Sequence, residues 1–263
     1  MIVTSNKIDI NQSPLKIGFY NIRLNLTDKE NVLCICNNLF NADKPHTIFF
    51  LNAHCFNIAQ KNLKYRKALN NSDLLLNDGI GIKLASYLAG VKIMENLNGT
   101  DLIPEILSLA ANNRKKVFFL GGKDGVAEKA SQMIKDRMPE IQITGCLSGY
   151  FSKKEEQEVI EKVNSSEAEL LVLGMGVPKQ ELWASGNRDK LENIKIIIAG
   201  GAILDFLSGR VKRAPLWIRK INMEWLYRLI NEPGRLWRRY IIGNILFFKY
   251  QLRFFFRQQI ANK

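Results

Sequence analysis

One carboxylate stands out by its position. In LLLNDGIGIKLAS, residues 74–86, an apolar run of strand type ends on Asp78, and Gly79 and Gly81 follow at once. An acid in that place suits three tasks: a turn residue, a part of a cofactor-binding loop, or a base that takes a proton from a substrate. Each needs different company. A dinucleotide loop needs a third glycine at position 84, where Leu84 stands. A phosphate-binding P-loop fails in LGGKDG, because Lys123 is followed by Asp124 and lacks the upstream glycine spacing. No cofactor is therefore expected. No Asp-x-Asp pair occurs, and Cys34, Cys36, Cys55, Cys146, His46 and His54 lack zinc-site spacing, so no metal is expected either. The cysteines read as buried free thiols.

Other residues carry chemistry without a metal. Gly121 and Gly122 can bring backbone N–H groups close to a diphosphate at a helix start, or can simply turn the chain. In GMGVPKQELW, Pro178 suits the first turn of a helix, which puts Lys179, Gln180 and Glu181 in that turn as ligand contacts or as a solvated start. A departing diphosphate needs a positive partner, and arginine's planar fork pairs with phosphate oxygens two at a time. Arg213, Arg228, Arg235 and Arg238 all lie near the C-terminus, and the last two, three residues apart, share a helix face.

The elements that must position these groups are legible as a repeat. Six apolar runs of strand length, TIFFLN, DLLLND, KVFFLGG, IQITGC, ELLVLGMG and IKIIIAGG, alternate with helical spacing, as over 53–69 and 126–138. Runs apolar on both faces indicate parallel strands covered by helices, so the fold expected is α/β, a doubly wound, mostly parallel, Rossmann-like sheet. Thr27-x-x-Glu30 and Ser152-x-x-Glu155 have the pattern of capping boxes. Ligands of such sheets sit beyond the carboxyl ends of the strands, and Asn52, Asp78, Gly79, Gly121, Gly122, the stretch from Gly174 through Gly176 to Gln180, and Gly200 with Gly201 all fall there.

Two regions follow: an α/β domain over 1–209 and a helical appendage over 210–263. The formal net charge is +13, and the appendage alone holds thirteen Lys or Arg against Glu224 and Glu232. It also holds Trp217, Trp225, Trp237 and the Phe254–Phe256 triplet. One helix is expected from Pro215 to just before Pro233, with one or two more beyond it. Asn244, Lys249, Gln251 and Arg253 interrupt the apolar residues, so the appendage is expected to lie on a membrane rather than cross it. Packing on its own sheet or on a twin subunit, and phosphate-backbone binding by a nucleic-acid-binding protein, are the alternatives. The aromatic content favours lipid over nucleic acid. The start, MIVTSNKIDINQSPLK, has no apolar signal segment, which points to the cytoplasm. Assembly into a homo-oligomer stays open.

Taken in order, LNAHCFNIA, NDGIGIKLA, NLNGTDL, VFFLGGKDGVAEKA, GYF, LGMGVPKQELW, GGAILDFLSGRVKRAP and EWLYRLINEPGRLWRRY resemble the motifs of the WecG/TagA/CpsF glycosyltransferases, from about residue 16 to beyond 240. The resemblance implies an inverting, metal-independent transferase. It would move N-acetylmannosamine or a related hexose from a UDP-sugar donor to a polyprenyl-diphosphate-linked sugar acceptor at the cytoplasmic face of the membrane, for teichoic acid or polysaccharide. It implies that Asp78 is the catalytic base, that Gln180 meets the donor, and that Arg228, Arg235 and Arg238 belong to an appendage that completes the active site on the membrane. Asn98, Asp101, Asp205 and Arg213, inside the same motifs, are further candidate substrate contacts. Phe50 and Asn96 stand where members of the family carry threonine and arginine.

Overall fold

The computed structural model describes residues 14–261, with side chains as far as Phe256. The first strands form a small antiparallel hairpin, β1 (Lys16–Phe19) and β2 (Ile22–Asn25), which the apolar pattern does not announce. Each strand has four residues, and the turn places Tyr20 at φ +57 instead of using an Asn-Gly pair. The hairpin leans on the main sheet: Asn25 Oδ1 accepts the Leu75 N–H at 2.8 Å, and Phe19, Ile22 and Leu24 are buried.

All six anticipated strands form: β3 (His46–Leu51), β4 (Leu74–Asn77), β5 (Lys116–Gly121), β6 (Gln142–Leu147), β7 (Leu170–Gly174) and β8 (Ile196–Ala199). They make one wholly parallel sheet in the order β4-β3-β8-β7-β5-β6. Successive side chains point to opposite faces, so each strand feeds two cores. Phe49, Leu51, Leu75, Leu171, Leu173 and Ile197 enter one; Ile48, Phe50, Leu76, Val172, Ile196 and Ile198 enter the other. This is the covered, doubly wound α/β sheet that the runs imply.

Local details differ from the pattern in instructive ways. The helix Lys29–Leu39 is capped by Asp28, whose carboxylate accepts the Asn31 N–H at 2.8 Å, so the cap falls one residue beyond Thr27. At Ser152 half of the expected box forms: Glu155 reaches back to the Ser152 N–H at 2.7 Å, but no side chain caps the helix Glu156–Ser165. The helical stretch 53–69 is two helices, Ala53–Lys61 and Leu63–Asn70, divided at Asn62, which caps the second. All four cysteines are free, though only Cys36 and Cys55 are buried.

The helix expected between Pro215 and Pro233 is also two, Leu216–Lys220 and Glu224–Asn231, broken where Asn222 adopts φ +59. Beyond it, Pro233–Trp237 runs through a π-turn, Arg238–Ile242, into Gly243–Ala261. This last helix docks on Ala53–Lys61. Phe56 meets Phe247, Tyr250 and Phe254 with ring centroids 5.3, 6.3 and 6.4 Å away, and Tyr20 stacks on Phe254 at 4.4 Å. Phe247 is 1% exposed and belongs to one of the sheet's own apolar cores. Among the described residues no helix is long and apolar enough to cross a membrane.

Candidate active site

The carboxyl ends of β3, β4, β5, β7 and β8 open together into one cavity of about 710 Å³, and the helices after residue 209 form its far wall. Asp78 stands at the end of β4, where its N–H bonds to the Leu51 carbonyl at 2.8 Å and prolongs the ladder by one rung. Asn52, at the end of β3, caps the helix Ala53–Lys61 by accepting the Cys55 N–H at 3.0 Å. Its amide nitrogen donates to Asp78 Oδ2, also at 3.0 Å. Burial pushes the Asp78 carboxyl above its ordinary pKa; the Asn52 hydrogen bond and the charges of Arg239 and Arg228 pull it back, and Glu224 adds to the rise. Asp78 nevertheless keeps contact with the cavity.

The glycines let backbone come close. A Cβ on Gly121 would lie 2.4 Å from the Gly174 backbone, so the ends of β5 and β7 can approach only as glycines. Gly122 N–H then bonds to the Gly174 carbonyl at 3.0 Å, and Gly122, Gly174, Gly176, Gly200 and Gly201 line the cavity. Gly79, at φ +89, donates its N–H to Asn96 Oδ1 at 2.7 Å and serves the turn rather than the cavity wall. Asn96 thus shapes the loop that carries Asp78, and Phe50 lies in the wall itself.

Pro178 precedes the helix Lys179–Asn187, and the run after it is solvated only at Lys179: Gln180 and Glu181 are each 1% exposed. Gln180 accepts the Gly201 N–H at 3.0 Å and donates to Glu181 Oε1 at 2.8 Å. Glu181 has its pKa pushed up to about 8 by burial, against the lowering effect of that hydrogen bond. Lys179 turns away, bonding to the Gly149 carbonyl at 2.8 Å over the Phe151 ring.

From the far wall, Arg228, Arg235 and Arg239 reach the cavity. Arg228 lies over the Phe206 ring at 5.0 Å, with Nε and Nη2 buried and unpartnered; Arg239 Nε is likewise buried without an acceptor. Such guanidinium N–H groups are vacant donors for an anion. Arg239 also helps burial hold the neighbouring His54 at about 4, hence neutral. Arg235 pairs with Glu232 at 2.7 Å. Arg238, expected beside Arg235, lies outside the cavity and stacks on Trp237 at 5.4 Å, while Arg239 takes the place facing Asp78. At 3.6 residues per turn Arg238 lies about 60° to one side of Arg235 and Arg239 about 40° to the other, and the cavity is on the Arg239 side. A repeat of four from Arg235 was the available signal for Arg239.

Asn98, Asp101 and Arg213 come together outside the cavity, as a strut between body and appendage. Asn98 caps the helix Gly99–Asn112 through the Asp101 N–H and bonds to the Asp101 carboxylate. Arg213 grips Asp101 at 2.6 Å and Glu224 at 3.3 Å, and Arg219 adds a contact to Asp101 at 3.4 Å. Pro104 has no N–H to give the Thr100 carbonyl, which instead accepts from Arg213 at 3.4 Å. Asp205 remains in the cavity wall, paired with Arg210 at 3.2 Å. Among the described residues no cluster of His, Cys, Asp and Glu could hold a metal ion.

Over residues 17–261 the chain matches the model of the glycosyl transferase WecG/TagA/CpsF family. Three similar curated proteins bear the name N-acetylglucosaminyldiphosphoundecaprenol N-acetyl-beta-D-mannosaminyltransferase. That of Bacillus spizizenii is 34% identical over 181 residues, 69% of each chain. That of Bacillus subtilis strain 168 is 32% identical over the same share. That of Staphylococcus aureus strain MRSA252 is 30% identical over 216 residues, 82% of this chain and 80% of its own.

Proposed function

Because the chain belongs to the WecG/TagA/CpsF family of glycosyltransferases, we propose that it transfers N-acetylmannosamine or a related hexose from a UDP-sugar to a polyprenyl-diphosphate-linked sugar, with inversion and without a metal. The observation that carries this reading is the cavity's polarity: a carboxylate on the sheet side faces guanidinium groups with vacant N–H on the appendage side. In the proposed reaction Asp78 takes the proton of the acceptor hydroxyl as that oxygen bonds to the anomeric carbon. The bond from that carbon to the donor diphosphate breaks, and its electron pair leaves with UDP. Arg228 and Arg239 would stabilise the charge that gathers there, in a pocket where little water competes. Asn52 keeps the Asp78 carboxylate aimed, and Gln180 meets the donor.

The acceptor's lipid gives the appendage its place. Trp217, Ile221, Ile245, Phe248 and Leu252 are each half or more exposed, among many Lys and Arg side chains. A surface of that composition suits the headgroup boundary of an anionic membrane, with roughly 1 kcal/mol per cation near the surface. The region after residue 209 is thereby read as a peripheral anchor on the cytoplasmic face as well as a wall of the site. The test is a screen of UDP-sugars with a synthetic lipid-diphosphate-GlcNAc acceptor, with and without anionic liposomes. UDP release coupled to acceptor glycosylation is expected for one donor; no turnover with any of them would overturn the reading.

A further inference from the structure

The Gln180–Glu181 pair contains a feature that the proposed reaction does not use. Glu181 lies in the cavity wall, 1% exposed, with one oxygen receiving the Gln180 amide and the other, Oε2, buried without any partner. Gln180 in turn spends its oxygen on the Gly201 N–H and one amide hydrogen on Glu181. Its amide orientation is therefore set from two sides, and one N–H is left over.

From this geometry we propose that Glu181 is a positioning residue, holding the Gln180 carboxamide against the Gly200–Gly201 turn so that the one uncommitted N–H stays available to the donor. The inference rests on the reading of Gln180 as a donor contact. Either form of the carboxyl can accept the Gln180 N–H, but only the uncharged form leaves the wall neutral for an anionic donor. An ionised Glu181 would be a buried anion with one hydrogen bond, set in the wall that receives an anionic diphosphate. Its surroundings offer no direct counter-charge. Its charge would be felt by the Cys55 thiol on the helix Ala53–Lys61, pushed up to about 12 by burial, and by the Tyr65 hydroxyl on Leu63–Asn70, also raised; both are uncharged at neutral pH. Arg239 acts on both of those groups from the appendage but forms no ion pair with Glu181. Burial accordingly keeps the proton on Glu181 until about pH 8.

Calorimetric titration with UDP between pH 7 and 9, on the whole protein, tests this. Wild-type affinity should fall by about tenfold across that range as Glu181 ionises and repels the ligand, whereas Glu181→Gln, which keeps an acceptor for Gln180, should lose most of that slope. Glu181→Ala should bind weakly at every pH, because Gln180 is released. A wild-type profile that is flat, or a slope unchanged in Glu181→Gln, would overturn the proposal, and the wild-type measurement decides even if a variant fails to fold. Gln180→Ala separates the two levels: undiminished UDP binding in that variant would remove Gln180 from the donor site, whatever Glu181 does.

Discussion

Asn52 holds Asp78 from one side only: its amide nitrogen donates to Asp78 Oδ2 at 3.0 Å while its oxygen is committed to the Cys55 N–H, leaving Asp78 Oδ1 without a side-chain partner among the described residues. The helix cap thereby fixes which end of the Asn52 amide faces the carboxylate. One oxygen is oriented and the other remains for a substrate proton. Asp78→Asn should keep UDP binding within about threefold while lowering transfer by at least about 100-fold, the usual scale of a lost general base. Retained turnover would sink the base role. Asn52→Ala should fall between the two, since it frees the carboxylate without removing it.

Arg239 and Arg238 are adjacent in sequence and differ in surroundings. Arg239→Ala should reduce kcat by about 100-fold or more, on the scale of an electrostatic contact to developing charge. Arg238→Ala, which removes a guanidinium lying on Trp237, should leave kcat within about threefold. Steady-state kinetics on the two variants distinguish the faces of the helix directly. The reverse ranking would mean that the appendage rotates when substrate binds.

Backbone approach at the cavity floor makes a stability prediction. Gly121→Ala places a methyl group 2.4 Å from the Gly174 backbone, where neither strand end can retreat, and should cost at least about 2 kcal/mol in urea unfolding. Gly186→Ala, in the helix Lys179–Asn187 with nothing within 4 Å of the new carbon, should be neutral or stabilising by up to about 1 kcal/mol. Equal effects would contradict the close approach of β5 and β7.

Stability should also carry the mark of Glu181. In the unfolded chain this group ionises near its ordinary value of 4.5, whereas in the fold it keeps its proton to about 8. The native state thus binds more protons between those values, so stability falls as pH rises through that window and the cost is fully present above it. The Tm of Glu181→Gln relative to wild type should therefore climb from pH 5 to pH 8 and then level off. A difference that stays constant with pH would show that the buried carboxyl ionises normally.

For the appendage, Trp217→Ser with Ile221→Ser removes two side chains that are 66% and 60% exposed, so folding should be unaffected. Flotation with anionic vesicles should drop by about tenfold, while transfer to a short-chain, water-soluble acceptor persists. Duplex DNA at matched ionic strength should bind weakly by comparison; strong, salt-sensitive duplex binding indifferent to both substitutions would favour a nucleic-acid partner.

The main sheet was legible because parallel strands covered on both faces are written as uninterrupted apolar runs, and each of the six became a strand. The hairpin was not, because four-residue strands joined at Tyr20 and Asn21 carry neither length nor a turn dipeptide. Strand ends announced Asn52, Asp78 and Gln180 as neighbours, and the structure brings all three to one cavity. Arginine positions were harder. Arg238 and Arg239 both lie near Arg235 by helical spacing, and Arg213 and Asp101, both polar residues in plausible motifs, turn out to hold each other. Spacing tells which residues share an element, but not which of two adjacent guanidinium groups the element's curvature turns inward.

The Phe56–Phe247 contact fastens the helix that continues from the turn carrying Arg239, and Arg213, gripping both Asp101 and Glu224, fastens the helix that carries Arg228. Half of the site is therefore held by tertiary contacts of a peripheral segment, not by the sheet. Thermodynamic reciprocity then applies: any ligand that prefers the fastened arrangement tightens the fastening by the same factor by which fastening raises its affinity. Loosening Phe247 should thus register as weaker nucleotide affinity at a distance, and saturating nucleotide should protect amides of the final helix against hydrogen exchange.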